Sequence, residues 1–132
     1  MNSDKNTVLA STCLLLSIAD SDLNIDEREM KIIGEIISDF FQIDGKQTKD
    51  ILFESRNKYS KSTELFSYSK VLNDNFTYQD KLDFICCIYE VAFIDKEFHY
   101  MEAHTIKKIA DMIHVQKSDL IKLKSEMKGI LD

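Results

Sequence analysis

An all-α bundle of about seven helices is what the sequence predicts, on three observations. There is no proline, there are only three glycines, and apolar residues recur at steps of three and four without any sustained two-residue alternation. The 132 residues suffice for one hydrophobic core and are short for two, so a single domain over residues 1–132 is expected. An apolar fraction of 44% beside 30% charged residues sets the chain apart from disordered and fibrous classes.

The first helix is expected over residues 6–19, where Val8, Leu9, Thr12, Cys13, Leu15, Leu16 and Ala19 keep helical spacing. Its apolar run CLLLSIA follows Asp4 and Lys5 instead of a basic segment and is too short to span a bilayer, so it reads as a core helix without direct membrane insertion. The second helix runs from Ile25 to about Phe41, with Asn24 as cap and Glu27 completing a capping box. Asp44 and Gln47 repeat that arrangement ahead of a third helix carrying Ile51, Leu52 and Phe53, which fades near Arg56 into a connector, NKYSKS. A shorter fourth helix follows in STELFSYSKVLN. Thr77 with Asp80 opens a fifth over residues 78–93, a sixth covers 99–113, and the last runs from Ser118 to Met127, where Gly129 stops it.

Two segments repeat. ADSDLNIDEREMKIIGEII, from Ala19, lies over AFIDKEFHYMEAHTIKKIA, from Ala92, at an offset of 73 residues. Asp22 then matches Asp95, Glu29 matches Glu102, and Ile33 and Ile36 match Ile106 and Ile109. Helical periodicity forces the isoleucines to agree; the acids are the informative matches. Two pseudo-repeated helix, acidic loop, helix units sharing one core are expected.

The first of these loops has Asp20, Asp22 and Asn24 at alternate positions, as a calcium loop does. An EF-hand needs glycine at its sixth position and glutamate at its twelfth; counted from Asp20 these are Ile25 and Lys31, and counted from Asp22 they are Glu27 and Ile33. The loop is therefore not an EF-hand. A smaller carboxylate site for calcium or magnesium stays open, with Asp20, Asp22 and Glu29 from the first loop and Asp95 and Glu102 from the second as candidate ligands. The competing reading is that acids near a helix N-terminus serve capping and the helix dipole.

With both loops placed, the pattern Ala-x-x-Asp-x-x-(apolar)-x-x-x-Glu occurs twice, as ADSDLNIDERE and AFIDKEFHYME. In this the chain resembles the tellurite resistance TerB-like family, whose helical domain is also similar to the N-terminal region of certain membrane-anchored J-domain co-chaperones. The resemblance runs from about residue 5 to residue 127. It implies that the family's signature acids fall on Asp22, Glu29, Asp95 and Glu102. It also implies a cytoplasmic bacterial protein in tellurite or general stress resistance, with a protein partner near the membrane, divalent cation binding in some members and no enzymatic activity. Where the family has glycine after the aspartate, this chain has Leu23 and Lys96, which removes the residue most tolerant of a left-handed turn.

Composition narrows the alternatives. The net charge is −6 with lysines interleaved among acids, which argues against a nucleic-acid surface. Cys13, Cys86 and Cys87 show neither disulfide nor zinc spacing and fit a reducing, cytoplasmic compartment. His99 and His104 stand five apart, off the shared face of a zinc-binding pair, and FICCIYEV offers no basic setting for a catalytic thiolate. The expectation is a non-enzymatic, partner-binding module; the alternative is a metal-dependent hydrolase in which the carboxylates of both loops converge. The stretch YSKSTELFSYSKVLNDNFTYQ, 59–79, carries more aromatics than a small core requires and is a candidate surface for a partner or for self-association.

Overall fold

The computed structural model describes residues 3–19, 25–61, 64–93 and 100–131, with side chains for all of these except 100–102 and 131. Among the described residues every regular element is a helix, and there are seven: α1 (Lys5–Ala19), α2 (Glu27–Phe41), α3 (Gly45–Lys61), α4 (Leu65–Asn75), α5 (Tyr78–Ala92), α6 (Tyr100–Met112) and α7 (Lys117–Leu131).

The hub is α1. Apolar and small residues cover it on all sides, so it presents no polar face, and twelve of its fifteen residues are buried, which places it inside the bundle. It packs against α2, α3, α4, α5 and α6. Three of its hydroxyls are satisfied within the helix: Ser11 and Thr12 donate to the carbonyls of Thr7 and Val8, both at 2.8 Å, and Ser17 donates to Leu14, while the buried Thr7 hydroxyl has no hydrogen-bond partner among the described residues. The other hub, α5, packs against α1, α2, α6 and α7 and contributes Phe84, Ile85, Ile88 and Val91 to the shared core. One end of that core is aromatic, with Phe40, Phe41, Phe76 and Phe84 in edge-on and tilted contact at 4.9–6.4 Å.

Helix starts follow their caps. Thr77 and Asp80 form the expected box at the head of α5, and Asp44 and Gln47 exchange hydrogen bonds at the head of α3, with Gln47 N–H to the Asp44 carboxylate at 2.8 Å. At α2 the expectation was two residues early. The cap is Asp26, extended at φ −86°, ψ 172°, and Glu29 completes the box; Glu27 is the first helical residue. Asn24 lies outside the described residues.

Two ends also differ from expectation. Residues 57–61 belong to α3, because they contain no breaker and Lys58 and Lys61 complement the dipole in its last turn. Gly129 does not stop the last helix, which continues through it to Leu131. Phe53, grouped with the apolar face of α3, is 71% exposed, while Ile51 is buried. In the aromatic stretch Tyr68 and Phe76 are core and Phe66 is exposed.

No helix among the described residues is long and apolar enough to cross a membrane.

Candidate functional site

Of the five candidate cation ligands, the described residues include the side chain of one. Asp20, Asp22 and Asp95 lie outside them, and Glu102 is placed in α6 only as backbone. Glu29 is seen in full, and its setting is unusual: it is the one charged residue buried among the described side chains, 7% exposed. Two features keep a carboxylate there. It stands in the first turn of α2, where the helix dipole favours negative charge, and its Oε1 accepts the Asp26 N–H at 3.4 Å while Asp26 accepts the Glu29 N–H at 2.7 Å.

Asp26 was not among the candidate residues. Its signal was legible, since Asp26-x-x-Glu29 has the spacing of Thr77-x-x-Asp80 and Asp44-x-x-Gln47. It orients Glu29 and so shapes what the head of α2 can present. The Ala19 side chain, just before the first loop, is buried, as is that of Ala92 before the second. Each hub helix thus has a buried alanine as its last residue, just ahead of an acidic segment in the sequence.

Nucleophilic chemistry finds no support in the thiols. Burial pushes the Cys13 thiol up, and its Sγ–H donates to the Ser55 carbonyl at 3.6 Å. Cys87 is pushed far up, first by burial and then by Glu90. Cys86 is raised by burial and by Asp83, Glu126 and Glu90. A thiolate needs cationic surroundings; at Cys13 burial outweighs the Tyr68 hydroxyl and Lys58, and around Cys86 and Cys87 the setting is apolar and anionic. His104 and His114 are both exposed. Among the described residues no three His, Cys, Asp or Glu side chains gather as a metal cluster.

A family model for tellurite resistance protein TerB matches residues 8–125 of the chain, from within α1 to well into α7. The chain belongs to the TerB family. No match was found among curated proteins or among solved structures. The TerB match spans both acidic segments and all seven helices in part or whole, so the domain described above is the TerB domain itself. TerB domains are non-catalytic, in keeping with the setting of the thiols.

Proposed function

We propose that this TerB domain is a partner-binding module of a cytoplasmic tellurite or general stress response, and that its two acidic loops respond to calcium or magnesium. The observation that carries the reading is the family match over residues 8–125.

Support for the loops as a matched pair comes from helix boundaries. The offset of 73 residues that aligns the acidic motifs also carries Lys5–Ala19 onto Tyr78–Ala92, and the first residue of α2, Glu27, onto the first of α6, Tyr100. Part of the packing follows the same relation. Contact of α1 with α3 corresponds to α5 with α7, and α1 with α6 corresponds to α5 with α2. On this reading the domain is a duplicated helix, acidic loop, helix unit.

Asp20, Asp22 and Glu29 would hold an ion at the first loop, and Asp95 and Glu102 at the second. All five are carboxylates, the hard oxygen donors that calcium and magnesium prefer. The buried Glu29, already ordered by Asp26, supports the first loop as the stronger of the two. An ion there would offset the repulsion of clustered acids and stiffen the α1–α2 junction, where a protein partner, including one at the membrane, could read the change.

The test is a titration of the metal-free protein with calcium and with magnesium, followed through backbone amide resonances. Saturable shifts over residues 19–29, lost in Asp22→Asn, are expected. Saturation about a hundredfold above Kd would also add about 2.7 kcal/mol to stability. A flat response at millimolar ion would leave these acids as caps and solvated charge and overturn the cation-responsive part of the reading.

A further inference from the structure

From the start of α6 to the end of the chain the charge is nearly balanced: over 100–132 six lysines stand against five acids, in a chain of net charge −6. Three of those lysines border a groove between α6 and α7. Two adjoining cavities of about 360 and 250 Å³ share Lys107, Leu120 and Ile121, with Lys117 at one end and Lys124 at the other. The floor is apolar, with Ile106, Ala110 and Val115 buried, and Ile121 stands 70% exposed on the lip.

The stripe on α7 is regular. Lys117, Ile121 and Lys124 fall at i, i+4 and i+7, on one face of the helix and about 10 Å from end to end, the length of two turns of a docked helix. Of the acids whose side chains are described there, Asp119 is engaged by the Tyr78 hydroxyl, Glu126 falls off the stripe, and Asp111 lines the groove.

We propose that the α6–α7 groove docks an amphipathic helix of a partner protein whose apolar ridge is flanked by carboxylates. The inference rests on the partner-binding reading above and names the chemistry of the partner. Concavity favours a convex helix over a bilayer, because the apolar floor lies between the bordering lysines. Charge complementarity selects the acidic flanks. A second copy of the chain does not supply such a ridge among the described residues. Exposed Phe53 is flanked by Lys49, Asp50 and Arg56, exposed Phe66 by Lys70, and exposed Ile130, one turn beyond Glu126, is a single residue and makes no ridge.

The experiment uses the full chain and a helical 18-residue peptide of leucine, alanine and glutamate, with leucines at helical spacing and glutamates on both flanks. Its counterpart replaces every glutamate with lysine. Amide shifts on addition of the acidic peptide are expected to be saturable and centred on residues 103–124, with the basic peptide at least about tenfold weaker. The variant Lys107→Glu with Lys117→Glu, both exposed positions, should reverse that preference, which a merely weakened fold would not do. The groove assignment is overturned by equal affinity for the two peptides or by no binding at millimolar peptide. It is also overturned by binding only to phosphatidylglycerol vesicles, or by self-association abolished by Ile121→Asp. Shifts confined to another face would overturn the groove while leaving the partner-binding reading standing.

Discussion

At the scale of single residues, the acids of this domain divide by what surrounds them. Glu29 is buried yet held by a helix N-terminus, whereas Glu90, on α5, has no such aid. Glu90 as a whole is solvent-exposed, yet partial desolvation of its carboxyl raises the pKa above the ordinary 4.5, and Asp39 across the α2–α5 groove raises it further. A carboxyl whose folded pKa exceeds its unfolded one binds its proton more tightly in the folded state. Its contribution to stability is therefore fully present below the unfolded pKa and is lost as pH rises through the folded one. Replacing Glu90 with Gln should raise the denaturation midpoint near neutral pH and leave it unchanged in acid well below 4.5. Urea melts of both proteins across that range measure the difference. Equal gain at every pH would assign the effect to packing and not to charge.

At the scale of elements, what was legible in the sequence depended on how local the deciding interaction is. Capping boxes are local, so Thr77–Asp80 and Asp44–Gln47 could be read directly, and α2 was misplaced because Asn24-x-x-Glu27 and Asp26-x-x-Glu29 both have the spacing of a capping box. The ends of α3 and α7 depend on the absence of a breaker and on a tolerated glycine, which periodicity does not report. The ends of α2 and α6, expected near Phe41 and residue 113, fall at Phe41 and Met112 without the glycine that usually marks such an end. Both close through a residue in the left-handed region, Gln42 at φ 54° and His114 at φ 62°, where glycine is usual. After each, an apolar residue donates its N–H to a carbonyl five residues back, Ile43 to Ser38 at 3.2 Å and Val115 to Ala110 at 2.9 Å. The left-handed backbone costs a side-chain-bearing residue about 1–2 kcal/mol, and glycine returns part of that through its looser unfolded state. His114→Gly should therefore stabilise the domain by about 0.5–1 kcal/mol, read as a shift of the thermal midpoint. A loss of stability would mean that the His114 side chain holds the α6–α7 corner through contacts worth more than the strain.

At the scale of the whole molecule, burial is unevenly shared. The all-round burial of α1 could be foreseen from its apolar and small composition, and the duplicated motif could be read because its acids recur at a fixed offset. Which outer helix would be held least firmly could not, since that depends on how each packs. In α7 only Met127 is buried among the described side chains, with Leu120 and Leu123 half-buried, and the helix packs chiefly against α5. Opening free energy follows apolar contact, so native-state hydrogen exchange should show the amides of α7 exchanging through a local opening well below the global free energy, and those of α1 only through global unfolding. Coincident protection of the two would show instead that the Tyr78 hydroxyl, which bonds Asp119 and accepts the Gln116 N–H at 3.1 Å, makes the head of α7 part of the cooperative core. A weakly held α7 also bears on the groove it forms with α6. A helix docked there would supply the apolar contacts that α7 lacks, and its binding should appear as slowed exchange along residues 117–131 with little change in α1.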